Sequence, residues 1–376
     1  MRTIISAESV CQGHPDKIAD IISDAILDEL IKRDPYVKSS IETVITTGLV
    51  YVSGELSTDT YVDIPTIARN TLIDIGYTKS EYGFDGYTAG VITSINDQSP
   101  ELALGIPTEG AGDTSIVVGY ATNETENYMP LPCNIANGIT ERIDYLRKED
   151  IIPFFRPDGK AIAVVNYENG KPSYLDSLTI LVQHEPYVSE LELKEAVMEE
   201  VVKKVVDEKF INEKTNITIN PIGRFVIGGP MADTGLTGRK TIADAYGTAA
   251  ASGGSAFSGK DPTKIDRSAS YMARYIAKHI VAAGLTERCN VEMVYVLGLE
   301  YPVSFNINTF TENNEKINEV VRNVFDLSPI GIIETLDLRR PVYKETSSYG
   351  HFGREKEEFS WEILDEKIIE RLRNYG

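Results

Sequence analysis

The sequence predicts an α+β (α/β) protein of three similar domains, each a mixed β-sheet with helices on one face. Two observations carry this prediction. A β-hairpin followed by a helix recurs three times along the chain, and each helix has one apolar face with which to cover a sheet. The predicted elements lie at 41–56 and 64–75; at 161–167, 172–183 and 190–209; and near 290–298, 302–310 and 313–325.

Each unit has its own local signal. Residues 41–56 alternate in polarity with a break at Gly48, and a strand over 87–95 follows the first helix. Asn169–Gly170 joins the second pair of strands, which is a strong signal for a two-residue hairpin turn. Strand-like apolar residues at 217–227 follow the second helix. We expect domains at 1–99, 110–227 and 228–376, which can interleave, and a mobile loop at 100–109.

Composition limits the class of protein. The chain has 376 residues, of which 42% are hydrophobic and 25% charged, values typical of a globular protein with two or three domains. It contains no apolar run of the ~18–20 residues that a membrane span needs. The N-terminus lacks the apolar stretch of a secretory signal, which predicts a cytoplasmic location and no membrane partner.

Cysteine, histidine and charge exclude further classes. The three cysteines are far apart, and none forms a CxxC pair, which argues against disulfides and zinc. The four histidines are dispersed too. A formal charge of −20 argues against binding of nucleic acid, which usually requires a basic face. An acidic chain can still hold an anion through a local group of cations.

One such group lies between residues 258 and 278, where five cations accompany only two carboxylates. Two interpretations stay open: an anion-binding cluster, or the solvated basic face of a helix. The cations are Lys260, Lys264, Arg267, Arg274 and Lys278.

The first chemical motif is GHPDK at 13–17, before a clear helical pattern. Pro15 suits the first helical position, so His14 and Asp16 lie at a helix N-terminus, which favours anions. Both residues also have a structural interpretation, since Asp16 can complement the helix dipole and His14 can be an incidental cap. Beside a phosphate site, Asp16 would be a Mg²⁺ ligand, because Mg²⁺ prefers one or two carboxylates plus phosphate oxygens.

A second motif, GSAFSGKD at 254–261, matches the start of a P-loop. Asp261 replaces the Ser or Thr that would hold Mg²⁺, and Pro262 opposes a helix continuing from Gly259. We therefore exclude a P-loop NTPase, although Lys260 and the glycines can still approach a phosphate. Three other loops are candidates for binding, with plain turns as the alternative: 156–160, 228–240 and a possible lid at 98–113.

Together these segments resemble the S-adenosylmethionine synthetase (methionine adenosyltransferase) family over nearly the whole chain. The resemblance implies three domains around a pseudo-threefold axis, and subunits that pack sheet to sheet with active sites between them, as a homodimer or a dimer of dimers. The matching stretches are ESVCQGHPDKIAD at 8–20, GAGD at 110–113, GYATNE at 119–124, RPDGK at 156–160, INPIGRFVIGGPMADTGLTGRK at 219–240, GGSAFSGKDPTKIDRSA at 253–269 and YKETSSYGHFGR at 343–354.

The resemblance also implies an activity: the sulfur of methionine attacks C5′ of ATP, and the released triphosphate is hydrolysed to phosphate and pyrophosphate. Two Mg²⁺ and one K⁺ per site would assist. Positions matching the catalytic residues are His14, Lys160, Arg239, Lys240, Lys260 and Asp113. Positions matching the ATP contacts are His14, Asp158, Gly159, Lys160, Arg224, Phe225, Asp233, Arg239, Lys240, Ala256 and Lys260. Positions matching the methionine contacts are Glu55, Gln98, Asp233 and Lys264, and those matching metal ligands are Asp16 and Asp266 for Mg²⁺ and Glu42 for K⁺.

Two rival functions use the same residues. An ATP-dependent phosphotransferase or amino-acid ligase would attack phosphorus and release ADP or AMP. A silent regulatory subunit would bind nucleotide without turnover, but such a chain should have lost cations or metal carboxylates that are all present here. The chain departs from the family's pattern at Ser255, which stands in place of a glycine, and in a shorter segment between Gln98 and Asp113.

Overall fold

The computed structural model describes residues 2–97, 110–311 and 314–375. The strands are β1 Arg2–Val10, β2 Lys38–Thr46, β3 Leu49–Ser57, β4 Gly90–Asn96, β5 Ser115–Thr122, β6 Phe155–Glu168, β7 Lys171–His184, β8 Asn216–Ile219, β9 Gly235–Leu236, β10 Arg288–Tyr295 and β11 Ser304–Asn308. The α-helices are α1 Pro15–Ile31, α2 Ile64–Ile75, α3 Leu131–Lys148, α4 Glu190–Ala196, α5 Thr241–Asp244, α6 Ile265–Ala282, α7 Asn314–Val324, α8 Pro329–Thr335, α9 Tyr343–Thr346 and α10 Glu366–Tyr375.

The strands form three sheets, and each sheet has a main helix on it. The sheet orders are β4-β3-β2-β9, β1-β6-β7-β8 and β11-β10-β5. The first two sheets are mixed, because β3–β4 and β7–β8 are parallel while their other neighbours are antiparallel. Helix α1 packs on β2, α3 on β1 and β6, and α6 on β5 and β10. The predicted combination of α and β structure in three sheet-and-helix units is confirmed, but the described strands of the third sheet are all antiparallel, so the prediction of a mixed sheet is wrong there.

Strand pairing connects parts of the chain that are far apart in sequence. Strand β1 pairs with β6, β5 pairs with β10, and β9 pairs with β2. Each sheet therefore contains a strand from outside its predicted hairpin unit. The domain boundaries themselves stay a prediction.

Most predicted elements are present with shifted ends. The helix at 64–75 and all three predicted hairpins are confirmed. Asn169 and Gly170 have φ of 53° and 81°, the left-handed pair that a type I′ turn requires. The strand predicted at 217–227 is wrong beyond Ile219, because the chain then turns back toward β7 through Asn220. The helix predicted over 190–209 continues from α4 as a π-helical segment, Val197–Val202, and ends with Lys203–Val205.

Both interpretations of the cations at 258–278 are wrong for Arg267, Arg274 and Lys278. These three side chains are buried on α6 and pair with carboxylates. The Arg267 guanidinium donates to Asp24 of α1 at 2.7 and 2.9 Å, and both Arg274 and Lys278 contact Glu362. The charges are neither solvated nor available to a ligand.

None of the helices in the described ranges combines the length and apolar character needed to cross a bilayer.

Candidate active site

The start of α1 forms the first half of the candidate site. His14 is the N-cap of the helix, and its Nδ1 accepts a hydrogen bond from the backbone N–H of Asp16 at 3.2 Å. Burial, reinforced by the nearby cation of Lys240, lowers the pKa of His14 to about 3. The ring is therefore neutral near pH 7, and because Nδ1 accepts, its hydrogen is on Nε2, which can donate to a ligand.

The Asp16 carboxylate joins α1 to the loop that carries Arg239 and Lys240. Its oxygens accept from the Leu236 N–H at 3.0 Å and from the Lys240 ammonium at 2.5 Å, and the Arg239 Nε lies 3.6 Å away. Burial of Asp16 opposes ionisation, but the bond with Lys240 holds the pKa of this carboxyl below its ordinary value. A buried, ionised acid thus lies among cations.

Two further links hold this loop against α1. The buried Lys17 ammonium contacts the carboxylates of Asp20, at 2.9 Å, and Asp244, which ends α5 just after the loop. Asp20 also accepts from the Gly238 N–H at 2.8 Å. None of Lys17, Asp20 and Asp244 was among the predicted site residues. The spacing of Lys17 and Asp20 was visible in the sequence, but the distant partner Asp244 was not.

Lys160 lies near the same helix start. It is on β6, and its ammonium pairs with the Glu8 carboxylate of neighbouring β1 at 2.5 Å. Lys160 pairs with Val10 at the end of β1, and the chain from there to α1 stays close, since the Cys11 N–H donates to the Gly159 carbonyl at 2.9 Å and the His14 N–H to the Cys11 carbonyl at 3.1 Å. We call His14, Asp16, Lys160, Arg239 and Lys240 the α1 half-site.

The start of α6 forms the second half. Asp266 is the second residue of α6, and its carboxylate accepts from the Lys260 ammonium at 2.6 Å and from the Ser255 N–H at 3.2 Å. Asp113 lies beside them, 4.0 Å from the Lys260 ammonium. Burial, with the neighbouring charge of Asp266 adding to it, raises the pKa of Asp113, whereas Lys260 lowers that of Asp266 against the effect of burial. We call Asp113, Lys260 and Asp266 the α6 half-site.

Strand β2 connects the two half-sites. Leu236, whose N–H contacts Asp16, pairs with Val44, and Lys260 forms a bridge with Ser40. Val44 and Ser40 are four residues apart, so the backbone contacts of the two half-sites are separated by about 13 Å along β2. The loops also meet between them, because a Cβ added at Gly238 would lie 2.4 Å from the Cβ of Ala256.

Glu42 and Glu55 line an open depression on the face of the β2–β3–β4 sheet. The depression has a volume of about 320 Å³ and is otherwise lined by small polar residues and Tyr51. Glu55 pairs with Ser40, and Glu42 pairs with Ser53, so the two acids are diagonal neighbours. Because Ser40 also bridges to Lys260, Glu55 lies toward the α6 half-site.

The predicted nucleotide contacts Asp158, Gly159, Arg224 and Phe225 lie on β6 and on the loop after β8. Burial raises the pKa of Asp158 to about 7, although its Oδ2 accepts from the Gly229 N–H at 2.7 Å. Gly159 is packed against Cys11, where an added Cβ would lie 2.7 Å from Sγ. Arg224 is exposed, and its guanidinium donates to the Pro186 carbonyl at 3.0 Å.

Of the predicted methionine contacts, Glu55 and Lys264 adjoin consecutive residues of β2, because Glu55 pairs with Ser40 and the carboxylate that holds Lys264 accepts from the Ser39 N–H at 2.8 Å. Asp233 is exposed on the loop near Asp158, whose pKa its charge helps to raise. Lys264 is buried, and its ammonium contacts Asp261 at 2.9 Å. Gln98 lies outside the described residues. Among the residues that the structure describes, no three His, Cys, Asp or Glu side chains are grouped to hold a metal ion.

Two helix starts, each with a buried aspartate bonded to a loop lysine, favour the binding of an anion together with a cation. Family models for S-adenosylmethionine synthetase match the chain in three parts: the N-terminal domain at 2–100, the central domain at 108–225 and the C-terminal domain at 227–363. The chain belongs to the S-adenosylmethionine synthetase family.

Two relatives are similar over nearly their full length. An S-adenosylmethionine synthase of Aquifex aeolicus (strain VF5) is 58% identical, with 97% of each chain covered. An S-adenosylmethionine synthase of Pseudothermotoga lettingae is 50% identical, with 99% of each chain covered. Members of this family are methionine adenosyltransferases, enzymes that make S-adenosylmethionine from ATP and methionine, and the chain is an enzyme of this kind.

Proposed function

We propose that the sulfur of methionine attacks C5′ of ATP between the two half-sites, that triphosphate leaves, and that it is then hydrolysed to phosphate and pyrophosphate. The observation that carries this proposal is the pair of helix starts, which hold preorganised charges of both signs. A thioether sulfur is already nucleophilic and needs no general base. The charge that develops on the leaving triphosphate is the main barrier, and fixed cations are the usual way to stabilise such charge.

The α1 half-site suits the triphosphate. Lys160, Arg239 and Lys240 outnumber the carboxylates Asp16 and Glu8, so an anion is favoured there. The Nε2–H of His14 adds a neutral donor. Holding the sulfur and C5′ in line supplies the rest of the rate acceleration, because the reacting atoms are already oriented.

The α6 half-site suits positive charge. Asp113 and Asp266 outnumber Lys260, so a divalent cation and the sulfonium product are favoured beside them. The donor set fits Mg²⁺, because Asp16 and Asp266 each offer one carboxylate and leave room for phosphate oxygens. Bound there, Mg²⁺ would act as a Lewis acid on the phosphates. We propose two Mg²⁺ per site, held by these two residues, and one K⁺ at Glu42.

The substrate contacts follow from the same arrangement. We assign the nucleotide to Asp158, Gly159, Arg224, Phe225, Asp233 and Ala256, together with the cations above. We assign methionine to Glu55, Asp233 and Lys264, with Gln98 as the remaining contact. The carboxylate of Glu55 would bind the ammonium group of methionine, and Lys264 would bind its carboxylate.

We further propose a homodimer, or a dimer of dimers, in which each active site combines half-sites from two subunits. Support comes from the separation of the half-sites in one chain and from apolar side chains exposed on strands, including Ile92 on β4 at 54% and Ile116 on β5 at 57%. Exposed apolar sheet faces favour association. The cytoplasmic location stays a prediction.

One experiment tests the reaction. The protein is incubated with ATP, methionine, Mg²⁺ and K⁺, and the products are identified by mass. We expect S-adenosylmethionine with phosphate and pyrophosphate. ADP or AMP would instead indicate a phosphotransferase or ligase, and the absence of turnover would indicate a silent subunit.

A further inference from the structure

His184, the last residue of β7, fastens the loop that carries the proposed nucleotide contacts. Its backbone N–H donates to the Phe225 carbonyl at 3.0 Å, and its imidazole Nε2 accepts from the Phe225 N–H at 3.1 Å. Both backbone groups of Phe225 are therefore bonded to one residue, which is 2% exposed. No other residue of the site is held in this two-sided way by the contacts described above.

The contacts of the His184 ring define its tautomer. Nδ1 lies 2.9 Å from the Glu185 carbonyl oxygen, which can only accept, so Nδ1 carries the hydrogen. Nε2 is then free of hydrogen, as acceptance from the Phe225 N–H requires. The neutral ring uses both nitrogens, and a side chain without an acceptor at the Nε2 position would leave the Phe225 N–H unpaired.

Neighbouring contacts connect this loop to the strand that carries Lys160. Gln183 donates to the Val226 carbonyl at 2.9 Å, and Arg156 donates to the same carbonyl at 3.1 Å. Strand β7 pairs with β6, where Lys160 faces Leu181. The loop at Phe225 and the cation at Lys160 are thus held on one hairpin, so the position of the nucleoside is coupled to that of the phosphates.

We propose that His184 is a positioning residue for ATP: its Nε2 holds the backbone of Phe225 where that segment contacts the nucleotide. This inference rests on the proposed function, in which Arg224 and Phe225 contact ATP. It predicts that losing the Nε2 acceptor weakens ATP binding selectively and leaves methionine binding nearly unchanged.

Two substitutions separate the two ring nitrogens. His184→Asn keeps a donor near the position of Nδ1 but loses the acceptor, whereas His184→Gln places an amide oxygen near the position of Nε2. We expect the Asn variant to raise both the Kd and the KM for ATP on the order of tenfold, the effect of one unpaired group. The KM for methionine should change less than about twofold, and Gln should restore most of the ATP affinity.

The chain contains a matched control in His279 of α6. Its Nδ1 lies 2.8 Å from the Tyr275 carbonyl, and its Nε2 accepts from the Asp365 N–H at 2.8 Å, so the same two bonds are made away from the site. His279→Asn should lower the Tm as His184→Asn does, but should leave the Kd for ATP within about twofold of wild type. A purely structural role would make the two Asn variants behave alike.

The inference is overturned if His184→Asn leaves the Kd for ATP unchanged, if it raises the KM values for ATP and methionine equally, or if Gln fails to restore binding. Calorimetric titration with ATP gives the Kd without turnover, so a wild-type protein that binds ATP but makes no S-adenosylmethionine would refute the proposed reaction and still test His184. Should the Asn variant not fold, ¹⁵N-histidine NMR of the wild type decides, because a hydrogen on Nε2 of His184 would refute the inference. Only four histidines need to be assigned.

Discussion

The starts of α1 and α6 share a local plan and differ in the charge around it. In each, an aspartate is the second helical residue, Asp16 or Asp266, and it accepts from a loop lysine, Lys240 or Lys260, at 2.5 or 2.6 Å. Each also accepts from a loop N–H. The surroundings then diverge, since Arg239 and Lys160 adjoin the first and the acid Asp113 adjoins the second.

This difference shows how one motif serves opposite ligands. The aspartate and lysine at a helix start are nearly neutral as a pair, so the next residues decide the sign of the local field. Added cations make the α1 half-site a place for an anion, and an added carboxylate makes the α6 half-site a place for a cation.

The third residue of each helix is also similar in the two half-sites, and its substitution should give the largest losses of stability. Lys17 follows Asp16, and Arg267 follows Asp266; both are buried and paired with carboxylates. Removing one partner of a buried pair leaves an uncompensated charge, which costs about 3–5 kcal/mol. We expect this loss of unfolding free energy in Lys17→Met and Arg267→Met, measured by urea titration. Lys17→Met should be the more damaging, because two carboxylates, Asp20 and Asp244, lose their partner.

Lys194→Met is the control for these variants. Lys194 contacts Glu190 at 2.5 Å in an exposed pair on α4, which should contribute less than about 1 kcal/mol. A loss of similar size in all three variants would contradict the distinction between buried and exposed pairs.

The next largest effect concerns the lysine of the α6 half-site. Lys260→Ala should lower kcat by roughly 10²–10³-fold, the usual effect of removing one electrostatic donor. Lys203→Ala is the control, because Lys203 pairs with Glu199 on an exposed face and its loss should leave kcat unchanged. Steady-state kinetics at saturating ATP and methionine measure both. An unchanged kcat in Lys260→Ala would show that this loop does not contact the phosphates.

Metal affinity tests the difference in sign directly. Without nucleotide, Asp266→Asn should weaken Mg²⁺ binding roughly tenfold, a modest share of the ~4 kcal/mol between unit charges 4 Å apart at an effective dielectric of 20. Asp16→Asn should have a smaller effect, because Arg239 and Lys240 already oppose a cation there. Calorimetric titration measures both variants. Equal losses of Mg²⁺ affinity in the two variants would show that the half-sites do not differ as described. A wild-type protein that binds no Mg²⁺ without nucleotide would show the same.

The sequence predicted those features that interactions between residues close along the chain determine. The Asn169–Gly170 turn and the helix after His14-Pro15-Asp16 could be predicted, because turn and cap preferences act over a few residues. The partners of the cations at 258–278 could not be predicted. Arg267 meets Asp24 across 243 residues of sequence, and Arg274 meets Glu362 across 88. A charge pattern along one segment does not show which distant carboxylates neutralise it.

The pairing of the strands and the contacts of the site could not be predicted either, because both join residues that are far apart in the sequence. Strand β9 has only two residues, yet it places Leu236 against β2 and brings its loop to Asp16. No periodicity can be read from two residues. His184 was also missed, since a histidine at the end of a strand has no pattern that indicates its contact with Phe225. The predicted roles of the site residues rest on the resemblance to the family.

The smallest effect concerns the amino-acid substrate, and it locates methionine relative to the two half-sites. Glu55→Ala should raise the KM for methionine roughly tenfold and the KM for ATP less than twofold, because one partly exposed carboxylate contributes about 1.4 kcal/mol to binding an ammonium group. Glu42→Ala is the matched control on the same face and should alter the K⁺ dependence instead. Equal changes in both KM values would remove Glu55 from the methionine pocket. A selective change would place that pocket beside the α6 half-site, where Ser40 joins Glu55 to Lys260 and the sulfonium forms near Asp113.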